Sequence, residues 1–236
     1  MANHPKDFWI GPSFSDIHND WEIPFLGMEK LPFIIGLSGP TKSGKSIMAK
    51  QLATRYGFQY ISLTEYLDDI AKSRGIVGGH WRDLGNIAIK LREEQGDNLL
   101  AKIALKKIIT KYRSSNKFVI DSIFHPAEVR FLRKRMNFLL IWVQVDFELR
   151  VTVAKNWYRD EENPDRNIRE EVSERDKYEQ LYENNNKGPD ANLYQCLKLK
   201  NEILYIKDNE GFNAATVFYR FDNLIKKYLP RYLTEM

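Results

Sequence analysis

Gly39-Pro40-Thr41-Lys42-Ser43-Gly44-Lys45-Ser46 fits G-x-x-x-x-G-K-[ST], the pattern of a loop that wraps phosphates. Its flanks fit as well. Phe33-Ile34-Ile35-Gly36-Leu37-Ser38 is a short apolar run, as a buried parallel strand requires. Ile47 to Ala53 reads as a helix, with Met48 and Leu52 four apart on one face and Gly57 as its stop. The residue types follow from the chemistry. Gly39 and Gly44 let the backbone approach an anion without a Cβ in the way. Thr41 and Lys42 mostly supply backbone, and the helix start adds N–H groups and the positive end of a dipole. Lys45 is placed to reach the outer phosphates of a nucleoside triphosphate, and the Ser46 hydroxyl to ligate Mg²⁺. Gly39, Pro40, Thr41, Lys42, Ser43, Gly44, Lys45, Ser46 and Ile47 are the expected nucleotide-binding set.

Beyond this helix, strands and helices alternate. Phe58 to Leu63 is a second strand, and Ser62-Leu63-Thr64-Glu65 is a capping box that starts a helix running to Gly75. Helical periodicity spans Trp81 to Tyr112, with a break at Gly96-Asp97. Lys117 to Asp121 is a third strand, and Pro126 suits the first position of the helix after it. Phe138 to Asp146 is apolar throughout and therefore central or nearly so; a helix from Glu148 to Tyr158 follows. A helix from Asp190 to Lys200, a fifth strand at Ile203 to Lys207 and a last helix at Ala214 to Tyr228 complete the pattern. Such alternation predicts an α/β domain of three layers, α/β/α, with a five-stranded parallel sheet covered on both faces.

Two stretches stand apart. Residues 1–31 carry Phe8, Trp9, Phe14, Trp21, Phe25 and Leu26 without a period, and read as an extension packed on the core domain at 32–236. Aromatic-rich arms also serve as interface anchors, so a homodimer through this extension is a second expectation. Arg159 to Glu179 holds five basic and nine acidic residues with only Ile168 and Val172 as aliphatics, which predicts a stretch that is mobile or lies over the domain as a lid, bounded at about 155–190.

Composition narrows the function classes. The net charge of +4 suits anionic substrates but is too mild and scattered to argue for nucleic acid. One cysteine, Cys196, excludes an internal disulfide and a cysteine-built metal site, and its helical neighbours make it a packing residue. The longest apolar run, Phe138 to Val145, falls short of the roughly 20 residues of a membrane span, and residues 1–31 lack a signal-peptide pattern. A cytoplasmic, membrane-free protein is expected.

The order of later features separates the users of such a loop. The base-reading Asn-Lys-x-Asp stretch of a GTPase is absent, and the third strand ends in Asp121-Ser122 rather than in the Asp-Glu pair of a remodelling ATPase. That points to transfer onto a bound acceptor rather than to hydrolysis. Arg159, Arg166, Arg169 and Arg175 lie where a closing lid would carry them over the phosphates, with water excluded. The alternative for each is a solvated face paired with Glu161, Glu170, Glu171 or Glu174. Tyr66 and Trp81 are candidates to stack an acceptor base, or core residues. His125, before Pro126, is a turn residue or a proton shuttle.

With Ile61 to Leu67, Leu84-Gly85-Asn86, Leu91-Arg92-Glu93, Val119 to Ile123, Pro126 to Val129, Val143 to Asp146, Lys155 and Arg159-Asp160 added to the glycine-rich loop, the chain resembles the nucleoside-monophosphate-kinase-like P-loop kinases over roughly residues 33–230. It looks most like the group of dephospho-coenzyme A kinase and deoxynucleotide kinases. The resemblance implies ATP and Mg²⁺ as donor and an acceptor held opposite the P-loop. It implies that Arg159 is the lid arginine, that Asp121 faces the metal or the acceptor, and that Arg92 grips an acceptor phosphate. Two positions depart from it: Phe124-His125 stands where similar sequences often carry an arginine, and Lys155 where the lid usually has one. A lysine keeps the charge but loses the two-pronged grip.

The expected function is an ATP-dependent phosphotransferase acting on a nucleotide or nucleotide-like small molecule, with Lys45, Asp121 and Arg159 catalytic, Ser46 and Asp121 on the metal, and Arg92 and Tyr66 on the acceptor. Dephospho-coenzyme A kinase itself and a nucleotide-binding regulatory protein without turnover are the alternatives.

Overall fold

A strand that feeds a phosphate loop from the middle of a sheet must be buried on both faces, and all six residues of β1, Phe33–Ser38, are buried. In the computed structural model, residues 31–76, 81–111, 115–157, 167–180, 193–207 and 214–229 are described. All of them belong to one compact unit, Leu31–Met236. The strands β2 (Gln59–Ser62), β3 (Lys117–Asp121), β4 (Asn137–Val145) and β5 (Glu202–Ile206) join β1 in the order β2-β3-β1-β4-β5. Every pairing is parallel. The long β4 lies directly beside β1, with Ile35 opposite Leu139 and Ser38 opposite Trp142.

Helices supply the crossovers. They are α1 (Lys45–Tyr56), α2 (Leu63–Ser73), α3 (Trp81–Gln95), α4 (Leu99–Lys111), α5 (Pro126–Arg135), α6 (Phe147–Trp157), α7 (Ile168–Gln180), α8 (Leu193–Lys198) and α9 (Ala214–Lys226). Helix α1 lays Met48, Ala49 and Leu52 onto the sheet and stops at Gly57, whose φ of 69° needs no Cβ. Met48 and Leu52 each gain about 1.5–3 kcal/mol from burial. One half of the expected capping box is present: Ser62 accepts from the Glu65 amide at 3.2 Å and opens α2. Pro126 opens α5 as its first residue. Cys196 is fully buried, and burial pushes its thiol well above the usual range.

The charged stretch behaves differently from its expectation as a mobile segment, at least over Ile168–Gln180. Its two aliphatics are enough: Ile168 and Val172 pack with Val151 and Ala154 of α6, flanked by Phe147. Helix α7 is therefore docked on α6 by a small apolar cluster of its own. The extension at 1–30 with its proposed interface role, and Arg159 and Arg166, lie outside the described residues. Among the described residues no helix is long and apolar enough to cross a membrane.

Candidate active site

The carboxyl ends of β1 and β3 sit side by side in the sheet, which is where open α/β sheets bind ligands. The loop after β1 carries the glycines for two distinct reasons. At Gly39 a Cβ would come within 2.3 Å of the Val143 carbonyl oxygen, so no larger residue fits. Gly44 has open space but a φ of 84°, so conformation rather than room decides there. Lys42, at φ 58°, takes the same left-handed turn with a side chain. Ser46 and Ile47 are exposed at the first turn of α1, where backbone N–H groups have no partner within the helix. Ser46 is thus accessible at the start of the helix.

Lys45 is buried and folded back over the loop. Its Nζ donates to the carbonyls of Gly39 and Pro40, both at 2.8 Å, and lies 3.4 Å from Ser43 Oγ. Burial lowers its pKa to about 8, against the opposing pull of Asp121 and Glu179. A buried ammonium held by carbonyls that polyphosphate oxygens could replace is suited to an anionic ligand. Asp121 ends β3 fully buried, with the Tyr60 hydroxyl donating to it at 3.4 Å and Ser122 Oγ at 3.2 Å. Burial, then the Asp121 charge, pushes the Tyr60 hydroxyl up to about 12. Ser122 follows at φ 67°, a strained conformation for a residue with a side chain, at the edge of the site. Among the described residues no three His, Cys, Asp or Glu are grouped to hold a metal. Mg²⁺ does not need that, since it usually takes one or two protein oxygens together with substrate phosphates.

Next to the loop is a cavity of about 80 Å³. Leu67, Trp81, Leu84, Phe124 and Tyr178 supply its apolar wall, and Arg92, Arg175 and Glu179 its charges. Helices α3 and α7 close on each other across it. The Trp81 and Tyr178 rings meet edge to face at 5.3 Å, and Arg82 pairs with Glu174 at 2.7 Å. A Cβ at Gly85 would stand 2.8 Å from the Tyr178 hydroxyl, so glycine permits the approach. Phe124 lies between the two halves of the site, its ring centroid 5.7 Å from Lys45 Nζ.

Several sequence expectations are relocated. Arg92 is buried, not a surface residue, and donates to Glu128 at 3.0 Å. The other Glu128 oxygen accepts from the amides of Phe124 and His125 at 3.2 and 3.1 Å, so Arg92 is fixed to the turn that floors the cavity. Tyr66 is not among the cavity residues; its ring lies under Lys107 Nζ, 4.5 Å away, toward α4. Trp81, in contrast, lines the cavity. Of the lid arginines, Arg169 forks onto Glu148 at the surface, both contacts at 2.6 Å, so its charge is engaged away from the phosphate loop. Lys155 is exposed on α6. Arg175 does reach the site, donating to Glu179 at 3.1 Å and stacking near Trp81. His125 caps α5 by accepting from the Ala127 amide at 3.2 Å; burial and the charge of Arg92 hold its pKa near 4, which suits a capping acceptor rather than a proton shuttle.

Two residues were not foreseen. Arg150 is buried and donates from one nitrogen both to the Thr41 carbonyl of the loop, at 3.2 Å, and to Asp176 of α7, at 2.8 Å. Glu179 is 6% exposed, with one oxygen on Arg175 and the other, Oε2, without a hydrogen-bond partner. Their only sequence signal was the spacing of four from Arg175 to Glu179, one helical turn.

Comparison with known proteins agrees with this architecture. The chain is 27% identical over 143 residues to a UPF0200 protein of Methanococcus maripaludis, covering 61% of this chain and 77% of that one. It is 32% identical over 108 residues to a UPF0200 protein of Methanocaldococcus jannaschii, covering 46% and 54%. Among solved structures, TT1252 from Thermus thermophilus superposes with a TM-score of 0.52 at 17% identity, over 86% of this chain and 98% of that one, which shows a shared fold. The cytidylate kinase-like family model matches residues 34–198, from β1 through the phosphate loop, the cavity helices and α7 to the end of α8, and the chain belongs to that family.

Proposed function

We propose that the chain is an ATP-dependent phosphotransferase that moves the γ-phosphoryl group to a nucleotide or nucleotide-like small molecule in the cytoplasm. The observation that carries this reading is the second cavity. A hydrolase needs room only for a water beside its phosphate cradle, whereas this site has an aromatic-walled acceptor cavity adjoining Lys45 across Phe124. Membership in a cytidylate kinase-like family supports it.

In the reaction, the loop from Gly39 to Ile47 binds the triphosphate with its backbone amides, and Lys45 leaves the loop carbonyls for the outer phosphates. Ser46 and Asp121 would hold Mg²⁺, which supplies charge neutralisation on the phosphates. Arg159 would add positive charge from the lid side. The cavity, at about 80 Å³, is smaller than the ~150 Å³ that accommodates benzene. A nucleoside-sized acceptor therefore enters when α7 and α3 part, and their return excludes water.

The test is a coupled assay with ATP, Mg²⁺ and a panel of mono- and dinucleotide acceptors. Lys45→Ala should abolish ATP binding or transfer while the thermal transition remains cooperative. Activity within a few-fold of wild type would end the proposal.

A further inference from the structure

The charges around the acceptor cavity are balanced in an unusual way. Its described lining holds three charged side chains, Arg92, Arg175 and Glu179. Arg92 is bound to the fully buried Glu128, and Arg175 to Glu179 itself. Each of the two guanidinium charges is thus already matched by a carboxylate. Glu179 lines the cavity as well, and its Oε2 is a buried acceptor without a hydrogen-bond partner. A buried carboxylate oxygen in that state is costly by itself, and a phosphate placed against it would repel it at short range in a medium of low dielectric. A hydroxyl would satisfy it.

Glu179 lines the cavity together with Phe124, whose ring centroid lies 5.7 Å from Lys45 Nζ, and the charges of Glu179 and Lys45 perturb each other.

We infer that the acceptor presents a neutral hydroxyl, not a phosphate, to the γ-phosphoryl group, and that Glu179 Oε2 accepts the hydrogen bond from that hydroxyl. This rests on the phosphotransferase reading and names its substrate class. The hydroxyl oxygen forms the new bond to the γ-phosphorus. The bond from that phosphorus to the β,γ-bridging oxygen breaks, and ADP leaves with the electron pair. The hydroxyl proton passes to Glu179 and then to solvent. Burial raises the affinity of Glu179 for that proton. The apolar wall of Trp81, Leu84, Phe124 and Tyr178 suits a neutral ring carrying the hydroxyl.

The experiment uses the full chain with ATP and Mg²⁺ and two acceptor sets. Nucleosides and dephospho-coenzyme A offer a hydroxyl; nucleoside 5′-monophosphates offer a phosphate, and products are mapped by phosphorus NMR. ATP binding to wild type is measured first by calorimetry. Transfer to a hydroxyl is expected. Glu179→Gln should lower kcat/KM for that acceptor about a hundredfold or more, with the ATP Kd within twofold of wild type. Its melting temperature should not fall, because the substitution removes a buried charge with a free oxygen. A merely structural residue would show the opposite, a lower melting temperature with little change in kcat/KM. Transfer to the phosphate of a monophosphate as the main reaction, wild-type rates in Glu179→Gln, or ATP binding with no member of the hydroxyl set accepted would each overturn the inference and leave the ATP site standing. Failure of wild type to bind ATP would instead remove the phosphotransferase reading itself.

Discussion

Replacing Glu128 with alanine removes three hydrogen bonds at once: those from Arg92 at 3.0 Å, from the Phe124 amide at 3.2 Å and from the His125 amide at 3.1 Å. Glu128 is fully buried and Arg92 is 4% exposed, so water cannot take the carboxylate's place. The guanidinium is left as a buried charge with its carboxylate partner gone, a loss of about 3–5 kcal/mol in comparable buried pairs. The two amides would each add ~1–3 kcal/mol if orphaned, but the turn can relax toward the cavity, so the sum is an upper bound. For a domain of this size the melting temperature should drop by about 6–20 °C, at roughly 2–4 °C per kcal/mol. Urea unfolding of Arg92→Met, Glu128→Gln and the double variant forms a double-mutant cycle. Its coupling energy should exceed about 1 kcal/mol, with the double variant more stable than the sum of the singles predicts. If each single substitution costs under ~1 kcal/mol and the two add, Arg92 does not live against Glu128. The reasoning that its charge is withheld from an acceptor phosphate would then fail.

Arg159→Ala is expected to lower kcat about a hundredfold or more with little change in ATP affinity, as for arginines that stabilise a transferring phosphoryl group; stopped-time assays at saturating ATP measure it, and an unchanged kcat would withdraw the lid assignment. Gly85→Ala should stabilise α3 by less than the ~1 kcal/mol of its helix propensity, because Tyr178 must turn aside, and should raise the acceptor KM several-fold. Full stabilisation with an unchanged KM would mean that Tyr178 is not confined there. His125 has a folded pKa near 4, below the unfolded value of 6.5, so the unfolded chain binds the extra proton between them. Its contribution to stability is present above pH 6.5 and is lost as the pH falls towards 4, with Arg92 and Arg130 opposing its protonation and Asp97 favouring it. Denaturation of His125→Asn, which keeps a capping side chain, should show a shallower loss of stability over that window than wild type; parallel curves would count against the assignment.

The sheet was legible because its signals are local. Apolar runs of strand length, a phosphate-loop pattern, a capping box and Pro126 each declare an element without reference to the rest of the chain. The proposed nucleotide half of the site shares that property, since its nine candidate residues, Gly39 to Ile47, are consecutive. The acceptor half does not. Arg92, Trp81, Phe124 and Glu179 come from separate elements, and which of them face a common cavity is settled by packing. At α7, where two aliphatics among many charges left a mobile segment and a lid over the domain both open, packing decides for a docked helix. Ile168 and Val172 are one helical turn apart and meet a matching pair on α6, so the helix can bury them while its charges face outward or pair. Tyr66 illustrates an error. A tyrosine after the second strand suits base stacking, but its helical phase turns it toward α4 and Lys107.

Arg150 holds the Thr41 carbonyl of the phosphate loop and the Asp176 carboxylate of α7 with one guanidinium. If the proposed reaction holds, a movement of α7 that admits the acceptor would strain or release Asp176, and the same guanidinium would then rest differently on the phosphate loop. ATP and acceptor would then be energetically linked through a single side chain. By thermodynamic reciprocity, the factor by which bound ATP changes acceptor affinity equals the factor by which bound acceptor changes ATP affinity. In initial-rate experiments the apparent KM for ATP should shift with acceptor concentration. In Arg150→Met, where the link is cut, the two should approach independence.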